Sequence, residues 1–96
     1  MLAWVFYDIT LDKARSKVAK ACEEAGIYRV QKSVFVGKLN KAQKRNLQTF
    51  IEDQISKETD SVYIFSMCKE HFNNCSLLGQ AFDKKLISAE IKGLFL

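Results

Sequence analysis

The sequence predicts an α+β sandwich, a sheet with two helices laid on one of its faces. Three observations carry that expectation. The opening segment LAWVFYDIT (2–10) is strand-forming and apolar on both faces, so it belongs in the middle of a sheet covered on both sides. Two stretches of helical period, 12–25 and 40–56, each carry one apolar stripe. Strand-like segments lie between and after them, giving the order strand, helix, strands, helix, strand.

In the first strand (2–9), Leu2, Trp4 and Phe6 point one way and Ala3, Val5, Tyr7 and Ile9 the other. Asp8 falls on the Trp4–Phe6 face, at the strand's C-terminal end. The first helix repeats Ala14, Val18, Ala21, Cys22 and Ala25 at helical spacing, with Thr10 or Asp12 as its expected N-cap and Gly26 as its stop. YRVQKSVFVGKL (28–39) is strand-like but changes phase at Val34, Phe35 and Val36. A bulge, or two short strands bent near Gln31–Ser33, accounts for that. The second helix buries Ala42, Leu47, Phe50, Ile51 and Ile55, and Asn40 with Gln43 has the form of a capping box. Lys41, Lys44 and Arg45 make its first turns basic, which opposes the helix dipole. DSVYIFSMC (60–68) is a further strand, KEHFNN a single helical turn, and CSLLGQAF and IKGLFL candidate short strands. A ferredoxin-like βαββαβ arrangement is the simplest fit. The terminal strand has no place in a four-stranded monomer, which leaves it free to extend a partner's sheet.

Ninety-six residues suit one domain, with a core in 1–80 and a C-terminal extension in 81–96. A chain of this size buries only about two thirds of its unfolded surface, so a dimer interface would add to a modest stability. The mixture of 48% hydrophobic and 27% charged residues is that of a globular chain and argues against disorder. No apolar run approaches the roughly 18 residues of a membrane span. The opening apolar run has no basic region ahead of it, which argues against a signal peptide and for the cytoplasm. The net charge of +4 permits a polyanionic partner without identifying one.

Chemistry-bearing motifs are few. Cys22, Cys68 and Cys75 have no disulfide-framework spacing and read as reduced thiols. Cys68, His71 and Cys75 form C-x2-H-x3-C, but that cluster lacks the fourth ligand and the paired spacing of a zinc site. Cys68 and His71, three residues apart in a turn, need not face one another as a nucleophile and its base. Phosphate-loop, dinucleotide and serine-hydrolase motifs are absent.

Asp8 is what this leaves. A buried, unpaired carboxylate costs several kcal/mol, so Asp8 must meet solvent, a donor, a cation or a second copy of itself. One reading has it capping the first helix or pairing with Arg15 or Lys17. The other makes it a metal ligand, since Mg²⁺ takes only one or two protein carboxylates and fills its shell with water and phosphate oxygens. A two-fold axis beside Asp8 would supply the second carboxylate. Arg15, Lys17 and Arg29 follow the strand ends and are its candidate cationic neighbours, for phosphate contact or simple solvation. Phe35 and Tyr7 read as packing residues, Tyr7 with its hydroxyl reaching a polar edge.

Taken together, YDIT after a hydrophobic strand, ARSKVAKACEEAG, YRVQKSVFVGKL, a polar helix and DSVYIFSMC resemble the small CRISPR-associated adaptation protein family, over residues 2–68. The resemblance implies a ferredoxin-like homodimer in which each chain's last strand joins the other's sheet. It implies that Asp8 binds a divalent metal, Mg²⁺ or Mn²⁺, with its symmetry mate, as the catalytic residue of an endonuclease acting on RNA or double-stranded DNA. Tyr7, Arg15, Arg29 and Phe35 match family positions for nucleic-acid binding. Lys17 stands where a second arginine can occur, keeping the charge without the bidentate fork. The resemblance equally accommodates a non-catalytic scaffold that grips duplex DNA for a larger integrase partner. A related ribonuclease toxin of the same fold is a further possibility, and a ferredoxin-like interaction module a third.

Overall fold

The first strand sets the architecture. In the computed structural model, which describes residues 2–76 and 78 of the chain, β1 runs Leu2–Asp8. It is followed by α1 (Asp12–Glu24), β2 (Tyr28–Gln31), β3 (Val34–Lys38), α2 (Lys41–Gln54), β4 (Ser61–Met67) and α3 (Lys69–Asn73). The four strands form one sheet in the order β2-β3-β1-β4, every neighbouring pair antiparallel. β1 thus has a strand on each side. Both of its faces are apolar because each has a layer to bury against, α1 and α2 on one and α3 on the other.

One face carries α1 and α2. Ala3, Val5, Tyr7 and Ile9 pack there with Phe35, with Val18, Ala19 and Cys22 of α1, and with Leu47 and Ile51 of α2. Leu2, Trp4, Val30 and Val36 line the other face, where Phe72 of α3 covers them. Leu2 and Val5 are fully buried, each worth about 1.5–3 kcal/mol over the exposed state. The consecutive Val34, Phe35 and Val36 serve both layers at once, Phe35 with the helices and the valines opposite. The phase change ahead of them combines both expected devices. A turn at 32–33 separates two strands, and the register shifts between Arg29 and Gln31.

The ends of α1 differ in how they are closed. Neither Thr10 nor Asp12 caps its start; Leu11 occupies the N-cap without a side-chain hydrogen bond. Thr10 is engaged elsewhere through its N–H, and Asp12 lies within the first turn, where it bonds Arg15. The C-terminus closes as expected on Gly26, at φ +86°. Gly26 N–H donates to Glu23 and Ile27 N–H to Cys22, the paired bonds of a Schellman motif that only a residue tolerant of positive φ completes without strain.

α2 starts on the predicted capping box, with Asn40 accepting from the Gln43 N–H and the Gln43 side chain accepting from the Asn40 N–H. Its apolar stripe is narrower than the spacing suggests: Leu47 and Ile51 are buried, but Ala42 and Phe50 are exposed. Most of CSLLGQAF, all of IKGLFL and the extension 81–96 lie outside the described residues. No described helix is long and apolar enough to cross a membrane.

Candidate functional site

Strand alternation turns Asp8 to the Trp4–Phe6 face, opposite α1 and α2, and registers it with Ser61 of β4. It is exposed. Among the described residues its carboxylate makes no hydrogen bond and no ion pair, so it neither caps α1 nor pairs with a cation. Arg15 instead bonds the Asp12 carboxylate and donates to the Ile9 carbonyl at 3.3 Å. Lys17 lines the groove between α1 and α2. The sheet beside Asp8 is aromatic. Trp4, Phe6 and Phe65 stack with centroids 5.5–6.4 Å apart, and Tyr63 and Phe65 are 66% and 41% exposed.

The loop after Asp8 is held by Asp60, a residue that no sequence motif singles out. One carboxylate oxygen accepts the Thr10 N–H at 3.0 Å, and the other accepts the Ser56 N–H at 2.8 Å. The Thr59 hydroxyl donates to the first oxygen at 3.2 Å. The Ser56 N–H, followed by that of Thr10, holds this carboxyl below the usual aspartate range, because each bond favours the charged form. Its place at the end of the polar turn SKETD was the available signal, since Asp in a turn binds nearby backbone N–H groups.

The cationic side of the site lies on the helix face. The Lys32 carbonyl accepts from the Tyr7 hydroxyl at 3.1 Å and from Arg29 Nε and Nη2 at 3.2 and 2.8 Å. The Arg29 guanidinium sits 5.4 Å from the centroid of Phe35, whose ring stacks on Tyr7. Burial raises the Tyr7 phenol above its ordinary range, and the Arg29 charge partly offsets this. Arg15 and Arg29, with Ser16, Ala19, Lys20 and Glu23, line an open depression of about 450 Å³.

The expected set therefore divides. Tyr7, Phe35 and Arg29 come together, and Arg15 joins Arg29 at the depression. Lys17 faces a different groove, and Asp8 the opposite side of the sheet. Tyr7 and Phe35 are 5% and 0% exposed. Alternation on β1 and β3 turns both rings into the helix layer, so they support Arg29 rather than offer a surface for a base.

The thiols also separate by environment. Cys22 is buried, and burial pushes its thiol up to about 12, with Glu23 adding to the rise. Cys68 is exposed, while Cys75 donates to Met67 Sδ at 3.9 Å and to the His71 carbonyl at 3.4 Å. Among the described residues no group of three His, Cys, Asp or Glu side chains could hold a metal ion.

An antiparallel sheet with paired helices on one face, and ionic groups at its strand ends rather than in a closed cavity, defines a small α+β protein whose chemistry lies on its surface. The chain belongs to the Cas2 family: a family model described as CRISPR associated protein Cas2 matches residues 1–75. The CRISPR-associated endoribonuclease Cas2 of Korarchaeum cryptofilum is 32% identical over 76 residues, spanning 79% of this chain and 82% of that one. A CRISPR-associated endoribonuclease Cas2 of Chloroflexus aurantiacus is 34% identical over 83 residues, 86% of this chain and 98% of its own. The crystal structure of Streptococcus pyogenes Cas2 at pH 6.5 matches with a TM-score of 0.71 at 28% identity, covering 82% of this chain and 100% of that chain.

Proposed function

We infer that the chain acts as a nucleic-acid-binding homodimer in CRISPR adaptation, with Mg²⁺- or Mn²⁺-dependent endonuclease activity on RNA or DNA. The observation that carries this reading is Asp8, an exposed carboxylate without a partner among the described residues, at the rim of an aromatic sheet face. The endoribonuclease names of the relatives from K. cryptofilum and C. aurantiacus support the activity. The strand order supports a ferredoxin-like βαββαβ reading of the described residues. Among the described strands β4 lies at the edge of the sheet, the position that a partner's terminal strand from 81–96 would use.

Among the described residues Asp8 belongs to no group of three potential ligands, which is too little for a metal site built by those residues of one chain. It fits as half of a shared site, because Mg²⁺ needs few protein oxygens when water and phosphate complete its shell. When bound, the ion would polarise the scissile phosphate and make its water acidic enough to serve as nucleophile. Asp8 from each copy supplies the anionic donors, and without a cation the two would repel one another. Arg15 and Arg29 supply charge-assisted hydrogen bonds to phosphate, and Lys17 a point charge. Tyr7 and Phe35 fix the backbone and the ring against which Arg29 rests.

The second reading keeps the binding and drops the cleavage: a duplex-gripping scaffold for the larger integrase. The absence, among the described residues, of a group of three His, Cys, Asp or Glu side chains able to hold a metal favours it. Purified wild type and Asp8→Asn, assayed for both cleavage and binding with Mg²⁺ or Mn²⁺, separate the two. Nuclease action requires cleavage that disappears in Asp8→Asn while binding survives. Binding without cleavage in either protein leaves the scaffold.

A further inference from the structure

The basic opening of α2 has no role in the site above. Lys41, Lys44 and Arg45 occupy its first two turns, with no acidic residue in the first turn. Positive charge there opposes the helix dipole, and the helix already has its start closed by the Asn40–Gln43 box, so the lysines and the arginine are not needed as caps. These three side chains do not stand alone. Lys44 Nζ bonds Ser66 Oγ at 3.1 Å, which ties the start of α2 to the end of β4. Leu2 registers with Lys38 at the end of β3 and with Met67 at the end of β4, so α2, which follows β3, starts at the Leu2 end of the sheet, remote from Asp8. No Asp or Glu occurs in 31–51 or in 61–69. Among the described residues, Glu70 lies in α3, Glu24 in the groove on the α1 side of α2, and Glu52 is bonded to Gln48 two turns further along.

We propose that Lys41, Lys44 and Arg45 form a second phosphate-contacting surface for a nucleic-acid duplex, at the end of the sheet remote from Asp8. The two ends of β1 are roughly 20 Å apart at about 3.3 Å per residue, so a ligand reaching both cationic regions must be an extended polyanion. A duplex backbone has that length, and lysine-rich patches bind it without regard to sequence. The inference rests on the nucleic-acid reading above but assigns contacts outside the Asp8, Arg15 and Arg29 region.

The test uses the full chain and a fluorescein-labelled DNA duplex of mixed sequence, with anisotropy titrations over a range of KCl. The triple variant Lys41→Ala, Lys44→Ala, Arg45→Ala replaces exposed or half-exposed side chains with the best helix former, so its melting temperature should equal or exceed that of wild type. The slope of log K against log salt should fall by about 2 to 3, near 0.9 for each phosphate that is no longer neutralised. Affinity near 0.1 M salt should drop on the order of tenfold, alike for two unrelated duplex sequences. A wild-type protein that binds with a slope unchanged in the triple variant overturns this surface while leaving the proposed function intact. A wild-type protein that does not bind duplex at any salt overturns both the surface and the duplex-gripping reading.

Discussion

Tyr7 and Arg29 meet on one acceptor, the carbonyl oxygen of Lys32, the phenol from 3.1 Å and two guanidinium nitrogens from 3.2 and 2.8 Å. The contact fastens the end of β1 to the β2–β3 turn. Tyr7→Phe keeps the buried ring and its stack on Phe35 and removes only the hydroxyl. The carbonyl retains the Arg29 donors, so no buried acceptor is orphaned. A loss of about 1 kcal/mol is expected, the net worth of one ordinary hydrogen bond. Urea unfolding measures it; a midpoint identical to wild type would mean that the hydroxyl contributes nothing to the turn.

Gly37 on β3 is a tighter constraint. A Cβ at that position would lie 2.7 Å from Ile27 Cγ2 and 2.8 Å from Ile27 Cα. The second of these is backbone, held by the Schellman bond that closes α1, and cannot rotate aside. Gly37→Ala should therefore cost about 1–3 kcal/mol, as overpacking does. In a domain of this size that corresponds to a fall of roughly 4–8 °C in Tm per kcal/mol. An unchanged melting curve would show that β3 and the α1–β2 connection are free to separate.

Asp60 makes the acid limb of stability predictable in sign. Its carboxyl is held below the ordinary aspartate value by N–H donors that exist only in the folded chain. The stabilisation is therefore complete above the ordinary value, about 4, and is lost as pH falls through the lower folded value. Asp60→Asn offers one carbonyl oxygen where two carboxylate oxygens accept now. The variant should have a lower urea midpoint than wild type near neutrality, and the two should converge as the pH drops below about 4. Parallel curves at all pH values would remove Asp60 from the account of acid sensitivity.

How far these features were legible in the sequence follows from their range. β1 declared its central place because both faces were apolar, and Asn40 with Gln43 and Gly26 declared their helix ends because caps are local. Asp60 and Gly37 did not, since their partners Thr10 and Ile27 are set by tertiary approach. Thr10 stands one residue before the N-cap, Leu11, with its N–H bonded to Asp60. Arg15 and Lys17 were grouped by sequence nearness, yet two positions on a helix are about 200° apart and face different grooves. Tyr7 and Phe35 took their binding role from the family resemblance, whereas the residues themselves read as packing; the structure places both in the core.

The aromatic face beside Asp8 gives the proposed dimer its clearest test. Tyr63 lies across from Phe6 and two residues along β4 from Ser61, the partner of Asp8. It is 66% exposed, so a monomer is little destabilised when it changes. If a second copy covers this face, Tyr63→Glu places a carboxylate in an apolar seam and brings it near its own symmetry mate, where like charges repel. Self-association should weaken at least tenfold, about 1.4 kcal/mol or more, while the circular dichroism spectrum is unchanged. Light scattering at low micromolar concentration should then move from twice the chain mass toward one. A Tyr63→Glu protein that stays dimeric would mean that the copies meet elsewhere, and would leave the two Asp8 side chains without a reason to face one another.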